Sequence, residues 1–222
     1  LANFIEFVVD SLPNLLRGTL IGLKIWIICI SSGTILGILL ALGRIYGNKV
    51  IYALCTIYIE LFRGTPLLVQ IFVIYLGLPD IGIVLTPVLS VSIAIGLNTA
   101  AYQAEYFRGA IQSVKGGQML AARAIGMSKF KAIIYIILPQ GLRIVIPQWS
   151  NEVILELKMT SLGFAVGATE LMAEAKAIGF KTFRYTEVFM LAAFIYLVIV
   201  ALVSTLLKIL EGKARIPGLG SP

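Results

Sequence analysis

The stretch that decides the fold is Ile25-Trp26-Ile27-Ile28-Cys29-Ile30-Ser31-Ser32-Gly33-Thr34-Ile35-Leu36-Gly37-Ile38-Leu39-Leu40-Ala41-Leu42-Gly43. It runs from Lys24 to Arg44 without a charge. A helix needs about 20 mostly apolar residues to cross a bilayer, and this run supplies them. It is too long for the apolar core of a secretory signal. Residues 1–19 carry Glu6 and Asp10 in place of a basic leader, so the run reads as a retained span. Two more charge-free runs cover residues 81–104 and 188–207. Residues 50–79 and 132–169 are also apolar but interrupted, the first by Glu60 and Arg63, the second by Arg143, Glu152, Glu156 and Lys158. An ionisable group at membrane depth costs roughly 2.5–3.5 kcal/mol on the insertion scale, so these two segments are where function is sought.

The expectation is an all-α integral membrane protein. It has a single transmembrane domain over residues 1–222, with about five spans near 20–43, 51–78, 83–108, 134–160 and 187–210. Composition agrees. Of 222 residues, 59% are hydrophobic and 13% charged, about half the charge usual in soluble domains. That excludes a soluble globular protein, a disordered chain and a disulfide scaffold. Cys29 and Cys55 both sit in apolar runs and read as small buried hydrophobes. There is no His, which removes the usual proton shuttle and the commonest metal ligand. The net charge of +7 would point to nucleic acid in a soluble protein. Here it is a topology signal instead. With the N-terminus outside, eleven basic residues fall in cytoplasmic segments and five in external ones, so the chain reads as N-out, C-in.

The longest inner segment, Glu105–Arg143, carries the clearest local grammar. Gly116-Gly117 breaks the helix. Met119 to Ile125 then forms a short helix, closed by Gly126 in a left-handed conformation, and Ser128 caps the next one. An ordinary basic inner loop and a docking element over about 115–133 are both open on these grounds. Upstream, Gly64 and Pro66 should break a helix, since Pro66 removes a donor and disfavours a helical Thr65. Broken helices survive at membrane depth where they line a cavity. The alternative is a simple kink with Glu60 and Arg63 paired at i, i+3. Asn98 and Tyr102 share a helix face, either for interhelical hydrogen bonds or for lining a site. Glu152 and Glu156 also share a face. Glu156, nearer the outer end, reads as solvated or paired with Lys158 or Arg184, and Glu152 as a substrate contact.

Several of these segments carry a family pattern. Ala121-Ala122, then Gly126, then Ile136-x-Leu138-Pro139 resembles the "EAA" loop of ABC importer permeases, with Leu120 standing where relatives have Glu. Glu60-Leu-Phe-Arg63-Gly64-Thr65-Pro66-Leu-Leu-Val-Gln70, Ala101-Tyr102-Gln-Ala-Glu105-Tyr-Phe-Arg108-Gly109 and Asn151-x6-Lys158-x-Thr160-Ser161-Leu162 resemble the polar amino-acid branch. The resemblance runs from about residue 10 to 211.

It implies a type I importer permease in the bacterial cytoplasmic (inner) membrane. It further implies that Ala121, Ala122, Arg123, Gly126, Met127, Ser128 and Lys129 couple the chain to ABC ATPase subunits. ATP and Mg would be bound there, because this chain has no phosphate loop. No cofactor is expected in the chain itself, and no enzymatic role. The other implied partners are a second permease copy or paralogue, an external substrate-binding protein, the lipid bilayer and an amino-acid substrate, with no nucleic acid. The substrate is expected to be a basic amino acid (Arg, Lys or His) at the bundle centre. Its carboxylate would meet backbone N–H groups near Gly64 and Thr65 and its side chain Glu152, with Asn98 and Tyr102 fixing orientation and Ser161 also placed at the site. Two other functions remain at this point: an ion-coupled secondary transporter using Glu60, Glu152 or Glu156, and a non-transport anchoring subunit.

Overall fold

The computed structural model describes residues 2–114 and 116–214. Lys115, the first residue of the expected docking loop, and Arg215, counted among the inner basic residues, lie outside the described part. Every regular element within it is helical. Helix α1 spans Ala2–Tyr46, α2 Lys49–Gly64, α3 Leu67–Phe72, α4 Pro87–Ser113, α5 Gly117–Ala124, α6 Lys129–Ala132, α7 Leu138–Met159, α8 Leu171–Thr182 and α9 Tyr185–Ala214. A π-helical turn at Ile133–Ile137 runs α6 into α7, and a 3-10 segment at Thr160–Val166 follows α7.

Three continuous helical stretches are long and apolar enough to span: Asn3–Tyr46, Lys129–Val166 and Tyr185–Lys213. A fourth candidate is the pair Lys49–Gly64 and Leu67–Ile81, bent by 105° at their junction. Helix α4 has the length but is less apolar, since Ser90, Ser92, Asn98, Thr99 and Gln103 interrupt it. Its position explains the tolerance. It packs against α1, α2 and α7 and is the most buried helix, so its polar side chains face protein rather than lipid.

Helix α1 is much longer than the span expected at 20–43. Its 45 residues rise about 67 Å, roughly twice the hydrocarbon thickness. The first half is amphipathic despite Glu6 and Asp10. Phe7, Ser11, Leu15, Gly18 and Gly22 recur on one side and are buried. Phe7 and Leu15 pack with Leu171, Ala175 and Ile178 of α8 and with Val188 and Ala192 of α9. Further along, the same stripe continues through Gly33 and Gly37, where α4 comes close. A Cβ on Gly33 would run into the Thr99 side chain, and one on Gly37 would lie 3.2 Å from the Ala100 carbonyl oxygen. Small residues at four-residue spacing are what lets two membrane helices approach at backbone distance.

The helix starts follow local chemistry. Asn48 accepts from the Ile51 amide at 2.9 Å and caps α2. Thr86 accepts from the Leu89 amide before Pro87 opens α4. Cys29 is buried and Cys55 half-buried, both as free thiols. Helix α9 is the least buried of the three continuous spans: Met190, Phe194, Leu197, Leu202 and Leu206 all face outward.

Candidate functional site

A cavity of about 510 Å³ opens where the α2–α3 break meets α4 and α7, within the range that holds a small molecule. Arg63, Gly64, Thr65, Pro66 and Leu67 form one wall. Asn98, Thr99, Tyr102 and Tyr106 form the second, and Glu152, Leu155, Glu156 and Met159 the third. The break itself forms as the Gly-x-Pro pattern requires. Helix α2 stops at Gly64, Thr65 is extended, and α3 starts after Pro66.

The freed carbonyls at the break are satisfied by side chains. Gln70 Nε2 donates to the carbonyls of Phe62 (2.8 Å) and Thr65 (3.0 Å) and to Thr65 Oγ1 (2.7 Å). Asn98 Nδ2 donates to the same Phe62 carbonyl and to Gln70 Oε1, both at 3.0 Å. Asn98 therefore ties α4 to the break with its amide group, and only its carbonyl oxygen is left for a ligand. Tyr102, one turn on, does reach the cavity, and the Arg63 guanidinium lies 5.4 Å from the centre of its ring.

The Glu60–Arg63 alternative and two expectations, on Glu156 and Ser161, need correction. Arg63 makes no i, i+3 pair with Glu60. Glu60 lies 4.0 Å from Arg44 instead, and Arg63 turns into the cavity. Nor is Glu156 solvated or paired with Lys158 or Arg184. It is 3% exposed, lines the cavity, and accepts from Gln103 Nε2 at 3.2 Å. Its second carboxylate oxygen and Gln103 Oε1 have no partner. The reason is the packing partner: α7 turns this face to α4, away from water and from Lys158 and Arg184. Glu152 accepts from the Tyr106 hydroxyl at 3.1 Å and is 9% exposed. Ser161 lies outside the cavity, its hydroxyl donating to the Lys158 carbonyl at 2.7 Å. Arg63, Thr99, Tyr106 and Glu156 are thus lining residues that the sequence reading passed over. A signal existed: Asn98, Tyr102 and Tyr106 repeat at i, i+4, and Glu152 and Glu156 share a face.

At the end of the molecule where α1 finishes, α5 forms the short helix expected from the loop. Gly126 has φ of +86°. The Met127 amide reaches back to the Ala122 carbonyl and the Gly126 amide to the Arg123 carbonyl, both at 3.1 Å. This is the Schellman arrangement, in which a left-handed residue lets the last carbonyls be satisfied. Arg123 Nη1 seals the turn on the Met127 carbonyl at 2.9 Å, and Ser128 Oγ accepts from the Lys131 amide. Ala122 is buried, Ala121 and Arg123 are exposed, and Lys129 stacks over the Tyr46 ring. Leu120, Ile125 and Phe130 are each more than two-thirds exposed, so the turn offers an apolar surface outward.

Comparison with known proteins assigns this architecture. The profile of the family described as binding-protein-dependent transport system inner membrane component matches residues 33–216. The nopaline transport system permease protein NocM of Agrobacterium fabrum is 37% identical over 217 residues, covering 93% of this chain and 90% of that protein. The glutamine transport system permease protein GlnP of Escherichia coli K12 is 33% identical over 210 residues, covering 93% and 95%. A crystal structure of an amino acid ABC transporter with histidines superposes with a TM-score of 0.86 at 34% identity, covering 93% of this chain and 96% of that one. The chain therefore belongs to the binding-protein-dependent transport system inner membrane component family, as an amino-acid ABC importer permease subunit.

Proposed function

We propose that this chain passes a basic amino acid (Arg, Lys or His) from an external binding protein to the cytoplasm through the cavity at the α2–α3 break. The supporting observation is its charge. Glu152 and Glu156 stand on one wall and Arg63 on another, two carboxyl groups facing one guanidinium. A zwitterion with a cationic side chain complements that set. Its carboxylate meets Arg63 and the backbone near Gly64 and Thr65, and its ammonium and side-chain cation meet Glu152 and the unpartnered oxygen of Glu156. Tyr102 and Tyr106 shape the pocket between them.

Transport follows alternating access, with the N-terminus outside and the C-terminus inside. Two permease chains, identical or paralogous, flank the path. Separate ATPase subunits bind ATP and Mg and receive the α5 turn, residues Ala121 to Lys129. Leu120 stands at the acidic position of the "EAA" pattern that this loop resembles, so apolar Leu120, Ile125 and Phe130 carry more of that contact. Family membership supports this reading over an ion-driven transporter or an anchoring subunit, and supports a position in the bacterial inner membrane.

Glu152→Gln tests the substrate assignment. In proteoliposomes holding the full complex, arginine uptake should fall at least tenfold relative to glutamine uptake. Arginine transport at wild-type affinity in an assembled Glu152→Gln complex would overturn it.

A further inference from the structure

The turn joining α8 to α9, Phe180-Lys181-Thr182-Phe183-Arg184-Tyr185, mixes three aromatic with three polar residues and takes no part in the cavity. It is held rigidly. The Tyr185 ring lies against Gly179, where a Cβ would sit 2.7 Å from a ring carbon. Arg184 bonds Glu187 Oε1 and the Asn3 carbonyl, each at 3.1 Å, and covers the Phe7 ring at 4.3 Å. Yet the two phenyl groups project away from the fold. Phe180 is 72% and Phe183 82% exposed. Phe183 also has φ of +57°, a left-handed conformation that glycine or asparagine adopts with less strain. The Phe183 amide closes α8 on the Gly179 carbonyl at 2.8 Å, but a bulky, strained side chain that touches little of its own chain points to a contact outside it. Lys176 and Lys181 flank it on the exposed side of α8, and neither makes an ion pair among the described residues.

Helix α9 sets the depth. Its charge-free run begins at Val188. Helix α9 starts three residues earlier at Tyr185, about 4.5 Å along the axis at helical rise, and Phe183 lies in the turn just beyond that start. The headgroup layer is about 5–8 Å thick on each side of the hydrocarbon. Phe183 thus falls at headgroup level, beside the least buried of the three continuous spans. Aromatic rings and lysines are the side chains that gain most in that layer, the rings by burying their faces and the lysines by reaching phosphates.

We propose that the α8–α9 turn is an interfacial anchor, with Phe180 and Phe183 set into the headgroup layer and Lys176 and Lys181 binding anionic phospholipid. Calling that leaflet the outer one rests on the orientation proposed above, but the lipid contact does not.

The test uses the full permease–ATPase complex in nanodiscs, with the Phe183→Trp variant read as difference emission against wild type, because Trp26 and Trp149 contribute background. The added emission should be blue-shifted and quenched by phospholipid brominated near the headgroup. Quenching by brominated phosphatidylglycerol should exceed that by brominated phosphatidylcholine by up to about fivefold per lysine at low salt. Adding Lys176→Gln and Lys181→Gln should abolish the preference, as should high salt. Emission that stays water-like until an external binding protein is added would overturn the proposal in favour of protein docking. Emission shielded equally in detergent and nanodiscs, without lipid quenching, would overturn it in favour of contact with a second permease chain.

Discussion

Asn98→Ala separates a scaffold role from a ligand role at the cavity. In the folded protein its amide nitrogen makes two bonds across helices, to the Phe62 carbonyl and to Gln70 Oε1. Interhelical hydrogen bonds in membranes average about 0.6 kcal/mol and reach about 1.7 kcal/mol, so losing two costs about 1–3 kcal/mol. The Phe62 carbonyl keeps Gln70 Nε2, whereas Gln70 Oε1 is orphaned next to α4. Gln70→Ala should cost more, because Gln70 Nε2 alone reaches three acceptors across the break. The double variant should be less destabilised than the sum, since both residues share one bond. Unfolding of the purified complex by titrated SDS reads stability, and calorimetric titration with substrate reads binding. The expected pattern is reduced stability in both single variants, a sub-additive double, and a change in substrate affinity no larger than the loosened wall accounts for. A tenfold loss of substrate affinity in Asn98→Ala at unchanged stability would refute the scaffold reading and make Asn98 a direct ligand.

Other expectations follow from packing and charge. Gly33→Ala places a methyl group against Thr99, which should cost about 1–3 kcal/mol in overpacking. Thr99→Gly should recover part of that loss in the double variant, and strictly additive losses in SDS unfolding would show that α1 and α4 do not meet there. Glu170 lies beyond the apolar stretches, in the cap of α8, where its carboxylate accepts from the Met172 and Ala173 amides and from the Tyr196 hydroxyl. Burial pushes its carboxyl up to about 7. A raised folded value means the protonated form is favoured by folding. Its contribution is therefore complete below the ordinary carboxylate range and is lost as pH rises toward 7. Thermal unfolding between pH 5 and 8 should show that loss in wild type and lack it in Glu170→Gln. Identical pH profiles in the two proteins would contradict the assignment.

The sequence by itself determined what local chemistry and composition control. Charge-free runs fixed the membrane class, Gly64-x-Pro66 fixed the break, and Gly126 with Ser128 fixed the turn after α5, because each depends on a few neighbouring residues. It also showed that Glu152 and Glu156 share a helix face. What it could not show was which helix that face meets. Position near the outer end points Glu156 to water or to Lys158 or Arg184, and only the approach of α4 puts Gln103 beside it and turns it into the cavity. Arg63 has Glu60 within reach along the chain but is drawn to Tyr102 from another helix. The first half of α1 lies ahead of the span expected at 20–43, yet its buried stripe pairs with α8, some 160 residues away. Helix α4 is less apolar than a lipid-facing span because its neighbours, not lipid, surround it. Contacts between distant segments decided these points, and no local pattern encodes them.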